Sequence, residues 1–436
     1  MKNQKIAKQS FLAAIVVLMS CASATVAAQT EGVLHSFAGG SADGFEPYAG
    51  LISDSAGNLY GTAAYEGPGG QGIVYQLKPP SGGGTWTENI LWPFSGASDG
   101  ATPTSNLIMD SSGAIYGTTV FGGTYNCGTF FELIPPGAGG GPWSENSLYQ
   151  FPCFGTVNAT QDPTTIAQDP ATGVFYGTLQ AGGPHDGGSV YKLALSGGVW
   201  TYTTLHNFND NSSDPGYANG CNPWSLIFGP DGNLYGTDIY CGLGGGTVFR
   251  LSPPTGGATG WGFNLIYTFG ASSTSLNGAY PYGLLIGLSG VLYGGTAQGG
   301  TSGYGTAYSL TRPVGGTGGG PWTEAIIHNF AGGPGDGAYP ISGVILGPTG
   351  SLYGTTAGGG LSNTTCGFDP GCGTVFQLIP GSGGSWTETI LHNFAPTGGD
   401  AINPNPGPLL ERGGNLYGAT YNGGTSNDGA VYAVHP

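Results

Sequence analysis

Seven copies of one tetrapeptide limit what this chain can fold into. Leu59-Tyr-Gly-Thr returns as Ile115-Tyr-Gly-Thr, Phe175-Tyr-Gly-Thr, Leu234-Tyr-Gly-Thr, Leu292-Tyr-Gly-Gly, Leu352-Tyr-Gly-Thr and Leu416-Tyr-Gly-Ala. The tyrosines stand at 60, 116, 176, 235, 293, 353 and 417, so the steps run from 56 to 64 residues. Repeat units share one architecture and bury their apolar faces against their neighbours. The 436 residues are therefore one array, not the several independent domains that length alone would give.

One repeat reads as four strands. Residues 341–346, 352–356, 374–378 and 386–394 are short runs rich in strand formers, separated by Gly347-Pro-Thr-Gly350, a glycine loop to Cys372, and Pro380-Gly-Ser-Gly-Gly. Gly, Pro, Asn and Asp at such boundaries mark turns. The fourth run places Trp eight residues before Phe, at 86/94, 143/151, 200/208, 261/269, 322/330 and 386/394. A further copy without its Trp, Val33-Leu-His-Ser-Phe37, stands near the N-terminus, and the last repeat stops after its third run, at 430–434. Seven units thus lack one fourth strand at the end and carry a spare at the beginning. A ring resolves this: the spare strand completes the last sheet, which predicts an all-β, seven-bladed β-propeller with four antiparallel strands per blade. An open solenoid would leave the N-terminal strand unpaired. In the Tyr-Gly pair, Gly weakens a strand and is expected to mark a bulge or a close backbone approach. The repeated Tyr and Trp are expected to pack blades together.

Glycine and proline, 89 and 31 residues, would otherwise indicate disorder. Here they recur at set places beside Tyr, Val, Ile, Phe and Trp, as a turn-rich β protein requires. Only 7% of residues are charged and the formal net charge is −16. Beyond Lys2, Lys5 and Lys8, the bases are Lys78, Lys192, Arg250, Arg312 and Arg412, against 24 acids. Such a field disfavours nucleic acid and anionic membranes as partners. A monomer without a transmembrane span is expected.

Residues 1–28 read as a secretory signal: three lysines, an apolar run from Phe11 to Met19 too short to cross a bilayer, and Val26-Ala-Ala28 as a cleavage site. Leu18-Met-Ser-Cys21 resembles a bacterial lipobox and offers a lipid anchor through Cys21 as the alternative. The mature domain then spans 29–436. Its six cysteines fall into local pairs, Cys127 with Cys153, Cys221 with Cys241 and Cys366 with Cys372. An even number in an exported chain predicts disulfides, and no ligand spacing for zinc is present.

Leu-Tyr-Gly-Thr-Thr, Gly-Gly, Gly-Thr-Val-Phe and the trailing Leu-His-Asn-Phe together resemble the GloVer tandem repeat, over about 33–436. That resemblance implies an exported bacterial repeat protein, of a family whose C-terminal sorting signals vary, and brings no catalytic residues. The chain ends at Val434-His-Pro436 without a hydrophobic tail, so a C-terminal anchor is not expected.

In a propeller the fourth-to-first and second-to-third loops share one face, and all six cysteines fall there. Variable loops on a rigid scaffold are the usual seat of function. Asp43-Gly-Phe-Glu-Pro47, Asp99-Gly-Ala-Thr-Pro103, Asn277-Gly-Ala-Tyr-Pro281, Asp336-Gly-Ala-Tyr-Pro340 and Asp400-Ala-Ile-Asn-Pro404 form a series. If they rim the channel, Asp43, Asp99, Asp336 and Asp400 would offer oxygen ligands to Ca²⁺; the plainer reading is an Asp-Gly turn. Asp210-x-Ser212-x-Asp214-x-Gly216 is a second, weaker calcium-like loop. Tyr280, Tyr339, Tyr48, Tyr282 and Trp224, with Glu46 nearby, would supply aromatic platforms for a carbohydrate or protein ligand.

Catalytic signals are thin. Gly96-Ala-Ser98-Asp-Gly100 has the letters of a nucleophile elbow but lies in a β loop. His35, His206, His328 and His392 share one repeat position that Trp92 and Tyr149 also fill, so it reads as a packing slot. His185, Asp186, Glu46 and Glu66 are unrepeated and remain the better candidates. The expected function is an extracellular binding scaffold needing no cofactor, with Ca²⁺ optional. The alternative is a propeller hydrolase or lyase acting on a saccharide or lactone.

Overall fold

The computed structural model describes residues 31–436 apart from 83, 138, 154–161, 213–214, 272–273, 314–320, 362–365 and 367–369. The leader, Cys21 and Asp214 lie outside the described residues.

The strand pattern closes into a seven-bladed β-propeller of small antiparallel sheets. In blade 1, Gly44–Pro47 and Ile52–Ser53 form the broken first strand; Leu59–Glu66, Ile73–Lys78 and Thr87–Pro93 follow outward. Blade 4 repeats the order with Cys221–Phe228, Leu234–Tyr240, Thr247–Ser252 and Gly262–Thr268. Blade 7 takes its fourth strand from the other end of the chain: Glu31–Ser36 pairs antiparallel with Ala430–Val434, Glu31 opposite Val434. The ring is therefore closed by backbone hydrogen bonds between the chain ends, as the strand count requires.

The repetition of the Tyr-Gly pair has a packing cause. Gly61 lies directly opposite Tyr75 on the third strand, and a Cβ there would come within 2.4 Å of the Tyr75 hydroxyl oxygen. Gly177 under Tyr191 and Gly236 under Phe249 are equally tight, at 2.3 Å each. The ladder between second and third strands keeps its register at these pairs. The glycine thus marks no bulge in this ladder; it makes room for an aromatic ring laid across the strand, and at Gly177 and Gly236 a Cβ would also stand 2.8 Å from Thr165 O and 2.7 Å from Ser225 O of the first strand, the close backbone approach expected of it. The bulge sits one ladder outward, between Val74 and Tyr75, Val248 and Phe249, or Val375 and Phe376, where it adds twist.

Blades pack through the other repeated aromatics. Five of the seven Tyr meet the Trp of the next blade: Tyr60 with Trp143 at 6.5 Å, Tyr176 with Trp261 at 5.6 Å, Tyr235 with Trp322 at 6.4 Å, Tyr293 with Trp386 at 6.3 Å and Tyr417 with Trp86 at 6.2 Å. The Tyr60 hydroxyl donates to Asp54 at 2.9 Å and that of Tyr235 to Asp231 at 2.8 Å. Phe37, Phe94, Phe249, Phe330 and Phe394 are fully buried between sheets.

Every blade begins with a strained residue before a proline: Glu46 (φ 54°), Thr102 (57°), Asp162 (42°), Asn222 (55°), Tyr280 (61°), Tyr339 (60°) and Asn403 (55°). Positive φ is costly for residues with a Cβ, by about 1–3 kcal/mol each. The strain is held by the preceding blade. Thr102 N–H donates to Gln71 O at 2.8 Å, Tyr280 N–H to Gly245 O at 2.7 Å and Asn403 N–H to Cys372 O at 2.8 Å. The proline presses against that blade's third-strand glycine; a Cβ on Gly246 would stand 2.5 Å from Pro281 Cδ. This seam fixes one face of the disc. The three disulfides, Cys127–Cys153, Cys221–Cys241 and Cys366–Cys372, with Cα separations of 5.6, 5.4 and 5.1 Å, staple loops on the same face.

Candidate binding site

First strands from all seven blades surround a central cavity of about 420 Å³. Successive residues of a strand alternate in direction, so the positions two after the strained residue reach the channel. Tyr48, Thr104, Thr164 and Trp224 line it in this way. Trp224 meets Tyr282 edge-on at 5.2 Å, and Tyr48 meets Tyr421 at 5.5 Å. The wall therefore joins broad aromatic surface to short polar groups. Thr102, Thr104 and Gln180 also line the cavity, and their side chains make no hydrogen bond to described residues.

The electrostatics are one-sided. Asp162 lines the cavity. Glu46 stands close enough to the hydroxyls of Tyr48, Tyr65 and Tyr421 to act on all three. Burial raises the Glu46 carboxyl above its usual range. Burial is also the main reason that the Tyr48 hydroxyl resists ionisation, with Glu46 and Asp162 adding to it against a hydrogen bond from Tyr421. Further acids share this face, Glu66, Asp186 and Asp428 among them. Past residue 8, no Lys or Arg does: Lys78 and Arg312 stand at third-strand ends on the opposite side, Arg412 precedes a tight turn there, and Lys192 and Arg250 lie within third strands.

Of the residues expected to form a site, Trp224 and Tyr48 line the cavity and Tyr282 backs Trp224. Tyr280 and Tyr339 instead lean on the preceding blades, against Tyr240 at 5.5 Å and Tyr304 at 5.8 Å. Asp43, Asp99, Asp336 and Asp400 are absent from the cavity lining. Each caps its own loop: Asp43 accepts from Ala38 N–H at 2.9 Å, Asp99 from Ser95 N–H at 2.9 Å, Asp336 from Ala331 N–H at 2.8 Å and Asp400 from Ala395 N–H at 2.9 Å. Asp162, Thr102, Thr104 and Gln180 escaped sequence reading. Asp162-Pro163 and Asn222-Pro223 continue the residue-before-proline series without its leading Asp-Gly, and that dipeptide at every blade was the available signal.

Three of the loop aspartates stand in seams with a histidine and a glutamate. His35, Asp43 and Glu88; His328, Asp336 and Glu388; and His392, Asp400 and Glu31 each bring three ligand atoms within 4.8 Å of one another. Burial pushes Glu31, Glu88 and Glu388 up to about 7, the neighbouring aspartate adding to it. One imidazole and two carboxylates form a donor set that a divalent transition ion accepts more readily than Ca²⁺; a shared proton balances the same charge. Elsewhere the slot is filled by stacking: Tyr149 on Tyr202 at 5.4 Å and His206 on Phe263 at 4.2 Å, or by Tyr267 donating to Glu324 at 2.9 Å. Among the unrepeated polar groups, Glu66 accepts from Gly40 N–H in the turn leading into its blade, and Asp186 accepts from Gly182 N–H at 3.0 Å in its own loop. Ser98 sits in an exposed turn with no helix behind it.

The fold and its channel define a closed, seven-bladed repeat propeller with an acidic, aromatic-lined mouth. The model of the Gloeobacter/Verrucomicrobia repeat matches residues 20–212, 142–368 and 262–436, and the chain belongs to that family. No curated protein matches the chain. Among solved structures, the extracellular domain of a protein assigned as a one-component system from B. thetaiotaomicron aligns with TM-score 0.53 at 12% identity, over 93% of this chain and 40% of that one. A protein assigned as a 6-phosphogluconolactonase from Bacteroides uniformis aligns with TM-score 0.49 at 13% identity, over 81% of this chain and 84% of that one. The PQQ-bound aldose sugar dehydrogenase of Streptomyces coelicolor aligns with TM-score 0.43 at 12% identity, over 93% and 98%. These are likenesses of fold.

Proposed function

We propose that the protein is an extracellular binding scaffold that holds a saccharide at the channel mouth. One observation carries this reading: Trp224 and Tyr48 present aromatic surface in a cavity of about 420 Å³ whose Thr102, Thr104 and Gln180 side chains have no described protein partner. Sugar rings stack their C–H faces on aromatics while their hydroxyls need neighbouring hydroxyl, amide and carboxylate groups, and such a pocket supplies both. The mouth is pre-formed, because the strained seam and the disulfides hold the loops around it, so little ordering opposes binding. The leader-like N-terminus and the three disulfides support export, and among the described residues no helix is long and apolar enough to cross a membrane. Calcium is accessory to this reading and not required by it. Lactonases and sugar dehydrogenases share the fold, and fold alone carries no activity.

A glycan array probed with the purified protein and with Trp224→Ala tests the proposal. Signal on a subset of glycans, lost in the variant, supports it; no signal, or signal indifferent to Trp224, removes it.

A further inference from the structure

Three seams of the ring gather ligand sets that hydrogen bonding does not satisfy. We propose that the seams between blades 5 and 6, 6 and 7, and 7 and 1 each bind a divalent transition ion of the Zn²⁺ class, and that these ions lock the closing strand into the ring. None of the nine ligands lines the channel cavity, so the ions act whatever the channel holds.

The ligands come from three repeat positions. One lies two residues before the buried Phe of a fourth strand, one in the loop to the next blade, and one six residues before the Phe of that next blade. At three successive seams they are His328, Asp336 and Glu388; His392, Asp400 and Glu31; and His35, Asp43 and Glu88, each set with its ligand atoms within 4.8 Å of one another. At the other seams the set is incomplete. Trp92, Tyr149 and Tyr267 replace the imidazole, and His206 stacks on Phe263 where a carboxylate would stand.

The spacing suits a metal. Imidazole Nε2 stands 3.2 Å from Asp336 and 3.5 Å from Asp43 and Asp400, with Glu388 at 3.5 Å and Glu88 at 3.9 Å. Ligands bound about 2.0–2.1 Å from a tetrahedral ion stand roughly 3.4 Å apart. As a hydrogen-bond network the same atoms do poorly. Two carboxylates have no proton to share, and one imidazole N–H serves one acceptor. His35 Nε2, Glu88 Oε1, His392 Nε2, Glu31 Oε1, Asp400 Oδ1 and Glu388 Oε1 are shut off from solvent with no hydrogen-bond partner among the described residues. A divalent ion accepts from all three groups and cancels both charges, and the imidazole favours a transition ion over Ca²⁺.

The sets are held ready. Each imidazole stands edge-on to the buried Phe two residues on, at 4.7 Å in all three. Backbone N–H groups orient the aspartates: Ala38 and Gly44 donate to Asp43, Ala331 and Gly337 to Asp336, and Ala395 to Asp400. Such outer hydrogen bonds fix the direction of a metal ligand. The histidine and aspartate side chains are 11 to 22% exposed, which leaves an ion a path from solvent. Two of the sets draw on the closing strand. Glu31 and His35 both belong to Glu31–Ser36, so one ion ties that strand to His392 and Asp400 and another ties it to Asp43 and Glu88 of the next seam. Without an ion a shared proton balances the same charge, so ion and proton compete for one place.

The test uses untagged protein, stripped with a chelator and then titrated by calorimetry with Zn²⁺ and, separately, Ca²⁺, with bound metal counted after gel filtration. The expected result is close to three Zn²⁺ per chain, one for each set, with Ca²⁺ weaker by roughly a hundred-fold or more. The melting temperature should rise with Zn²⁺ and fall back on chelation, as mass action requires of an ion that binds the folded state. His392→Tyr gives the slot the residue that Tyr149 and Tyr267 place there in other blades, so it should fold and bind one ion fewer. Replacing the exposed His185 and His435 by Ala should leave the count unchanged. Zn²⁺ should slow amide exchange over residues 31–36 in the native protein and not in the double variant His35→Tyr, His392→Tyr. No Zn²⁺ binding, or a count that follows His185 and His435 instead, would overturn the sites. Ca²⁺ binding as tight as Zn²⁺ would overturn the ion class, and binding without slowed exchange would overturn the lock. Should the double variant fail to fold, the count and exchange of the native protein still decide.

Discussion

His328 Nε2 stands 3.2 Å from Asp336 Oδ1 in the seam between the fifth and sixth blades. Glu388 Oε2, carried by the next blade, is 3.5 Å from the same nitrogen. The relation recurs where His35 meets Asp43 at 3.5 Å and His392 meets Asp400 at 3.5 Å. A glutamate position that repeats for packing reasons thus places two carboxyl groups beside one imidazole at three of the seams.

This makes stability depend on pH in a stated direction. Glu31, Glu88, Glu145 and Glu388 each rise from 4.5 to about 7 in the fold, chiefly through burial, with a nearby aspartate adding to it and, at Glu31, Glu88 and Glu388, the neighbouring histidine opposing it. A raised acid favours its protonated form in the native state, so its contribution is complete below about 4.5 and lost as pH rises through 7. His328, raised by Asp336 and Glu388 against burial, acts in the same sense. His206, lowered by burial to about 4, opposes it below 6.5. The melting temperature should climb by several degrees as pH falls from 8.5 to about 5.5. Glu88→Gln and Glu388→Gln should flatten that slope. A melting temperature that instead rises toward alkaline pH would contradict the assignment.

Asp238 is a second buried acid with a simple remedy. It is fully buried in blade 4 and its Oδ1 has no partner among the described residues; burial drives its pKa well above 3.8 against one hydrogen bond from Thr247. At the same repeat position Thr119, Thr296 and Thr356 pair with Thr129, Thr306 and Thr374 at 3.0, 2.9 and 2.8 Å. Asp238→Thr should restore that pair and stabilise the fold at neutral pH by about 1–3 kcal/mol, the cost of an unsatisfied buried polar group. Denaturant unfolding measures it, and a less stable variant would show that Asp238 has a partner the fold needs.

Ring closure can be tested by moving the strand. Glu31 lies opposite Val434, so a short turn can join the two ends into the hairpin that every other blade possesses. A circular permutant opened after Phe37 should melt within a few degrees of the native chain, because the cut falls in a surface loop and keeps every ladder. Deleting residues 31–37 should instead expose the edge of Ala430–Val434 and remove Phe37, which is fully buried and 5.1 Å from Tyr75. Loss of the Phe alone is worth about 3–5 kcal/mol. Deletion should therefore give aggregation or loss of cooperative unfolding. A deletion variant as stable as the native chain would contradict closure.

Reduction is expected to loosen the binding face more than the blades. Each disulfide there closes a local loop, with sequence separations of 26, 20 and 6. Removing one should cost about 2–4 kcal/mol for the longer loops. Saccharide affinity should fall in reductant while the β signature in circular dichroism persists; unchanged affinity would show that the staples do not shape the mouth.

Most of the ring was legible because it repeats. Trp86 through Trp386 and the spare Phe37 count blades, and the cysteine pairs read correctly because they are local. In the Tyr-Gly pair the close backbone approach was legible and the ring laid over the glycine was not, since a glycine under a cross-strand ring looks in one dimension like a bulge. The site was harder. Asp43, Asp99, Asp336 and Asp400 draw attention by repeating, and repetition is what commits them to loop caps and seams. Asp162 was within reach through its place before Pro163 in the repeated residue-before-proline series, whereas Gln180 carries no such mark and comes to the cavity only through the position of its blade around the axis.

A crystal structure of the purified protein soaked with the glycan that binds most tightly addresses the central claim directly. The predicted result is a sugar ring against Trp224 in the channel mouth, with hydroxyls on Gln180 or Thr104. Saccharide density elsewhere on the disc, with the mouth holding water alone, would contradict it.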